Sequence, residues 1–357
     1  MKDLMQFSWG VPIRGYTWID ARRITGLRFG PQDERFLSPG PTSQWRAYNP
    51  LQDRPALFRN FAELDPSEET VQAFADEHGA LGLDRDIGIP RGEGRAHSRG
   101  ELLSTWTKEV TFMNHALRVW DALRSGASDD LRRWFHLKRQ RDVAVVEYTP
   151  DEEWPLGVPQ ISVQYTTGEA GDHAKFLPPG VSDRRGDPGT SVEQVPSDPY
   201  DLGLAFLQES LNRQLRNRLG CSVQTITEST RPVPLGLHII PKSLLGAMWL
   251  QLARAIEDET RFQRCPQCGT WFKLPNKARR SSTTYCSPAC RVRTYRDRQA
   301  QARKLAAEGA SPEEIAAKLN STAETVSSWI ASEEKRPIRE ATKSSGGKRS
   351  GTRGRKP

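Results

Sequence analysis

Residues 264–298 read RCPQCGTWFKLPNKARRSSTTYCSPACRVRTYRDR, and they hold four of the chain's 5 cysteines. Cys265 and Cys268 form a C-x2-C pair and Cys286 and Cys290 a C-x3-C pair, with 17 residues between Cys268 and Cys286. Two such pairs match a closed tetrahedral site made of four thiolates. The reason is local geometry. A turn through Pro266 and Gly269 makes a knuckle that aims both sulfurs at one point. Ser287 and Pro288 suit the N-cap and N1 positions of a helix, which brings Cys290 into its first turn. Four thiolates leave no open coordination position, so the expected cofactor is one structural Zn2+ rather than a catalytic metal. Zinc binding contributes roughly 10–16 kcal/mol in small finger peptides at neutral pH, enough to fold a segment with little core of its own. The competing reading, a Cys265–Cys268 redox pair or free thiols, explains one pair and leaves the other without a purpose. Cys221 stands apart in a predicted strand and reads as a semi-buried thiol.

The residues around the sulfurs are cationic. Between Arg261 and Arg298 there are ten Lys or Arg and one acid, Asp297. Arg279 and Arg280 lie between the cysteine pairs. Arg291, Arg293, Arg296 and Arg298 follow the last cysteine on a predicted helix, with Tyr295 among them. Cations displayed on a small rigid element suit phosphate contacts; the plainer alternative is a solvated basic face.

An amphipathic helix through residues 252–256, the C-x2-C-G-x-x-F run of residues 265–272, and YCS-x-x-CR-x-R-x-YR over residues 285–296 together resemble the zinc finger of CGNR-type bacterial proteins, described as stress-induced transcription regulators. The similarity covers about 45 residues. Where that family carries its C-G-N-R tetrad, this chain reads Cys290-Arg291-Val292-Arg293. The resemblance implies a treble-clef or zinc-ribbon-like finger and a regulator of transcription.

Length and composition set the frame. A chain of 357 residues suggests two or three domains. Hydrophobic content is 36 %, low for a globular protein, yet ten tryptophans allow a solid core. There is no run of 18 apolar residues, so no membrane-spanning helix and no membrane partner are expected. The opening MKDLMQFSWGV lacks the apolar core of a signal peptide, which points to the cytoplasm. Charge is segregated: residues 261–357 carry 22 Lys and Arg against 8 Asp and Glu, a net of +14, while residues 1–260 carry 30 against 36, a net of −6. Any nucleic-acid contact therefore belongs to the C-terminal quarter.

The rest of the chain reads as a mixed α+β body. Residues 1–60 are broken repeatedly by Gly and Pro and interleaved with aromatics, as short strands with core-facing rings would be. Asp65, Pro66 and Glu68 predict an N-cap, an N1 proline and an N3 carboxylate for a helix ending at Gly79. Residues 101–124 carry Leu103, Trp106, Val110, Met113, Leu117 and Trp120 at three- and four-residue steps, the stripe of a core-facing helix. His115 lies off that stripe and reads as a surface residue. Gly126 closes that helix, and a short helix is predicted over 129–136. Strands are predicted at 142–148 and 161–166. Residues 167–199, rich in Gly and Pro, read as a linker or flap. A helix capped near Asp198, two strands and a helix over 242–257 lead to the finger. The predicted order is thus an α+β body (1–166), linker (167–199), helix-hairpin-helix module (200–260), finger (261–298), helix-turn-helix (299–332) and a disordered basic tail (333–357).

The helix-turn-helix rests on residues 309–330. Ser311, Pro312 and Glu314 form a capping-box start, Asn320-Ser321 a turn, and Thr322 a second cap. The pattern G-x-S-x-E-E-I-A-x-x-L followed by T-x-x-T-V-x-x-W-I resembles the helix-turn-helix of resolvases and sigma-factor-like regulators. The resemblance implies that the second helix enters the major groove. Thr322, Thr325, Ser327 and Ser328 are then the candidate contacts, on a helix without the Arg, Asn or Gln that make bidentate base pairings. Three function classes follow: a zinc-stabilised DNA-binding regulator whose body senses a ligand or dimerises; an adaptor whose finger binds protein or RNA; and a nucleic-acid-processing enzyme. The last fits least, because residues 261–357 contain no His and the six histidines elsewhere show no ligand spacing, so no catalytic residues are assigned.

Overall fold

The cysteine-rich stretch marks a division of the chain. In a computed structural model, residues 1–265 with 270–284 form one compact unit, and residues 266–269 with 285–357 form a second. The structure describes residues 7–20, 35–39, 44–83, 85–87, 98–140, 143–150, 162–166, 174–177, 191–192, 198–225, 235–275 and 284–334.

The first unit is mixed α+β. It opens with strands β1 (Trp9–Pro12), β2 (Tyr16–Asp20), β3 (Arg35–Pro39) and β4 (Trp45–Tyr48), then helices α1 (Pro50–Asp53), α2 (Leu57–Ala62) and α3 (Glu68–His78). Strands β5 (Arg85–Ile87) and β6 (Ser98–Leu102) precede helices α4 (Leu103–Ser125) and α5 (Ser128–Trp134). Next come β7 (Phe135–Gln140), β8 (Val143–Tyr148), β9 (Ser162–Thr166), β10 (Ala174–Leu177) and β11 (Ser191–Val192). The unit closes with α6 (Pro199–Arg216), β12 (Leu219–Thr225), β13 (Leu235–Pro241), α7 (Leu244–Glu257), β14 (Phe262–Arg264) and β15 (Trp271–Lys273). Among the described residues all pairings are antiparallel: a sheet β2-β3-β6-β5, a sheet β11-β10-β9-β8-β7, and the ribbons β1-β4, β12-β13 and β14-β15.

The stripe on α4 is buried as its spacing predicts, with Trp106, Val110, Met113, Leu117 and Trp120 inside one core. Leu202, Phe206 and Leu207 of α6 and Leu244, Leu245, Trp249 and Leu252 of α7 belong to that same core. The segment 200–260 is thus integral to the body. Buried polar groups tie the helices together. Gln251 of α7 donates from Nε2 to the carbonyls of Pro50 (2.8 Å) and Arg54 (2.9 Å), and its Oε1 accepts from the Phe58 amide (3.3 Å). One amide side chain thereby satisfies three backbone groups that burial would otherwise strand.

Several local expectations are corrected. Ser67, not Asp65, is the N-cap of α3, so the helix starts two residues later than the capping pattern suggests; the Ser67 hydroxyl bonds that of Thr70 at 2.8 Å and caps no backbone amide. Glu101 lies in β6, paired with Leu37, because its carboxylate accepts the amides of Leu81 (2.9 Å) and Leu83 (2.8 Å); the helix begins only at Leu103. The short helix α5 stops at Trp134, since Phe135 and His136 are drawn into β7 by pairing with Tyr148 and Glu147. His115 is buried, 4 % exposed, because the Tyr148 hydroxyl meets its Nδ1 at 2.8 Å. Burial and the neighbouring Arg118 push its pKa down to about 4. Cys221 is exposed rather than semi-buried, on a two-stranded ribbon. Within the presumed linker, β10 and β11 extend the five-stranded sheet, a pairing between segments that turn signals alone cannot reveal. The rest of 167–197, and the tail from 335, lie outside the described residues.

The second unit carries α8 (Pro288–Ala307), α9 (Pro312–Leu319) and α10 (Ala323–Glu334). Its core is small: Ala302, Ile315, Ala316, Val326 and Trp329, flanked by Leu305, Leu319 and Ile330. Ser311 caps α9, with both halves of the capping box formed to Glu314. Asn320 closes α9 in the left-handed region at φ +48°, and Thr322 caps α10 by accepting the Thr325 amide at 3.2 Å. No helix among the described residues is long and apolar enough to cross a membrane.

Candidate metal centre

The ribbon β14-β15 delivers the first cysteine, and α2 holds the ribbon. The Trp271 amide donates to Asn60 Oδ1 at 2.9 Å, and Arg264 pairs with Glu63 at 3.1 Å. Next to them Arg59, almost fully buried, binds Asp121 through both Nη atoms (3.0 and 2.7 Å). Its guanidinium carbon lies 4.9 Å from the Trp120 ring centre, 5.2 Å from Phe262 and 5.0 Å from Trp271. A planar cation stacked among aromatic faces is a stiff support. Sequence reading missed Arg59, Asn60 and Glu63, since nothing in their spacing links them to a segment some 200 residues away.

The knuckle forms where the ribbon turns. The Cys265 amide donates to the Thr270 carbonyl at 3.0 Å, closing the turn. Gly269 sits at φ +73°, a backbone conformation that disfavours any residue with a Cβ. The second pair is set by the start of α8. The Ser287 hydroxyl accepts the Cys290 amide at 3.2 Å, with Pro288 at the first helical position. That cap places Cys286 just before the helix and Cys290 in its first turn.

All four sulfurs converge, lying within 4.8 Å of one another. The Sγ atoms of Cys268 and Cys286 are 3.6 Å apart and those of Cys286 and Cys290 3.5 Å. These spacings far exceed a disulfide bond of about 2.05 Å. They approach the edge of a tetrahedron with metal–sulfur bonds of about 2.3 Å, which is about 3.8 Å. Cys265 is buried, Cys286 and Cys290 half-buried and Cys268 exposed. The four cysteines singled out in the sequence thus form one group able to hold a metal ion.

The knuckle is strapped to the helix by an amide. Gln267 Nε2 donates to Asp297 Oδ2 at 2.9 Å, and its Oε1 accepts from the Thr294 hydroxyl at 2.6 Å. Further along α8, Tyr295 accepts the Trp329 indole N–H at 2.9 Å, and their rings meet edge-on with centres 5.6 Å apart. Arg298 donates through Nη2 to the carbonyls of Leu319 and Asn320, closing the C-terminus of α9. Arg303 Nε donates to the Trp329 carbonyl at 3.2 Å. The boundary drawn between residues 298 and 299 therefore falls inside α8, which belongs to both cysteine site and helical core.

The remaining candidate residues sort by environment. Arg291, Arg293 and Arg296 are exposed and form no ion pair among the described residues. Arg279 and Arg280 lie outside the described residues. The Thr322 and Thr325 hydroxyls bond each other at 2.7 Å, and the Ser328 hydroxyl donates to the Thr325 carbonyl at 2.7 Å. Ser327 is exposed. Compared with known proteins, the chain matches no protein-family model, no curated protein and no solved structure.

Proposed function

We propose that this is a DNA-binding protein, a regulator of transcription, whose C-terminal unit is stapled by one structural zinc ion. The observation that carries the reading is the placement of the four-cysteine group at the root of α8, the helix that carries exposed Arg291, Arg293 and Arg296. The donor set favours zinc: four thiolates at near-tetrahedral spacing suit a closed structural site. In this reading Cys265, Cys268, Cys286 and Cys290 each supply one thiolate, and the metal holds the N-terminal half of α8. The helix-turn-helix reading is supported by the lengths of α9 and α10, the three residues that join them and their buried inner faces. The likeness to CGNR-type regulators points the same way. The body, whose residues 1–260 carry a net −6, would then sense a ligand or dimerise.

Two measurements test the reading. Metal analysis of the purified chain should return one zinc per chain. Electrophoretic shift with a duplex library, at two salt concentrations, should show binding that weakens with salt; no shift at low salt would end the DNA-binding reading.

A further inference from the structure

Among the three helices of the second unit, one carries the positive charge. α8 holds Arg291, Arg293, Arg296, Arg298, Arg303 and Lys304 against Asp297, a net of +5. α9 holds Glu313, Glu314 and Lys318, and α10 holds Glu324, Glu333 and Glu334 with no cation, so the pair nets −4. A phosphate backbone is attracted by the first and repelled by the second.

Packing sharpens the contrast. Arg298 and Arg303 are committed to carbonyls within the unit. Arg293, Arg296 and Lys304 are exposed and form no ion pair among the described residues. At about 100° per residue, these three fall within about 80° of one another around the helix, opposite Ala302. Ala302 is fully buried in the helical core, so the three cations face away from that core. Exposed Ala300 and Ala307 share their face and present no bulk against an approaching backbone. Asp297, the one acid on α8, has its carboxylate engaged by Gln267. Arg296 and Lys304 are about 12 Å apart along the axis at a rise of about 1.5 Å per residue. That is comparable with the width of the DNA major groove, about 12 Å.

The second helix of the pair offers little to a base edge. Its exposed residues include Glu324, Ser327 and Ser328. It has no Arg, Lys, Asn or Gln, the Ser328 proton is given to a backbone carbonyl, and Thr322 and Thr325 bond each other.

We infer that duplex DNA is bound by the α8 face formed by Arg293, Arg296 and Lys304, through its phosphates, and that α10 does not read bases. The inference rests on the DNA-binding reading above and changes its content. The helix held by the metal site is the contact surface, and binding follows the backbone rather than the sequence. The metal site then serves to hold a phosphate-binding rod at a set orientation to the knuckle.

The test uses the full-length, metal-loaded chain and fluorescence anisotropy with several unrelated duplexes over a salt series. The wild type should bind all duplexes within about threefold of one another, as backbone contact predicts. R293A/R296A/K304A should lower the steepness of log K against log salt by about 2.7, or 0.9 per lost phosphate contact. Its metal content and helical signal should match the wild type, because all three side chains are exposed. E324A/S327A on α10 should leave binding unchanged or stronger. The inference is overturned if E324A/S327A abolishes binding while the triple variant behaves as wild type; the DNA-binding reading then survives with α10 as reader. It is overturned too if one duplex is preferred a hundredfold. Failure of the wild type to bind any duplex, or preference for single-stranded RNA or anionic vesicles, removes both the inference and the reading beneath it.

Discussion

At the scale of single residues, the four cysteines are not equivalent. Cys265 is buried at the end of a ribbon anchored on α2, whereas Cys268 is exposed at the tip of the knuckle. If the group holds one ion as proposed, all four are needed to complete its tetrahedron, and each Cys→Ser change should remove it. The check is metal stoichiometry by mass spectrometry under native conditions, falling from one per chain to near zero for each variant. His115 makes a prediction of a different kind. Its folded pKa lies near 4, below the ordinary 6.5, because burial disfavours the imidazolium. The unfolded chain therefore takes up a proton first as pH falls. The stability held in neutral His115 is complete above about pH 6.5 and is lost as pH falls toward 4, on the order of 3 kcal/mol. Urea denaturation across that window should show a falling midpoint, and His115→Gln should flatten the fall. His78, also held near 4 chiefly by burial, contributes in the same direction.

At the scale of elements, α8 is unusual for its length. Over 20 residues only Ala302 is fully buried, so an amphipathic stripe does not hold it. Its first turn is fixed by the Ser287 cap and by Cys290, its middle by Thr294 and Tyr295, and its end by packing against α9 and α10. The two shorter helices depend more on their caps. Ser311→Ala deletes one half of a formed capping box and should cost about 1 kcal/mol. Amide hydrogen exchange in residues 312–319 should speed up by a corresponding several-fold, with no change in α4 or α7.

At the scale of the whole molecule, the two units differ in what keeps them folded. The first has a broad core with Trp106, Trp249, Phe58, Phe61 and Phe206 fully enclosed. The second has, among the described residues, a core of five buried residues, two of them alanines. A core of that size supplies little hydrophobic stabilisation, roughly 1.5–3 kcal/mol per large side chain, against the entropy of ordering three helices. Chelation of the metal should therefore raise exchange through residues 285–310 while α4, α6 and α7 stay protected. Uniform loss of protection across both units would show that the metal does not act locally.

The cysteine group was legible because its chemistry is spelled by identity and short spacing: two pairs, a glycine that tolerates φ +73°, a serine and a proline at a helix start. The capping signals of α6, α9 and α10 were legible for the same reason, since each acts within three or four residues of itself. The stripe of α4 could be read because helical periodicity is also local. What the sequence could not show is whatever depends on partners far along the chain. His115 is buried because Tyr148 meets it, Glu101 is a strand residue because two distant amides need its carboxylate, and β10 and β11 exist by pairing. The same holds for the cations of α8. Sequence counts them all as one basic run, but only the packing of α9 and α10 decides that Arg298 and Arg303 are consumed inside and that Arg293, Arg296 and Lys304 face out. Residue identity determines which short-range bonds are available. Long-range contacts, whose closing entropy is met only when the whole core assembles, determine which side chains are left for a ligand.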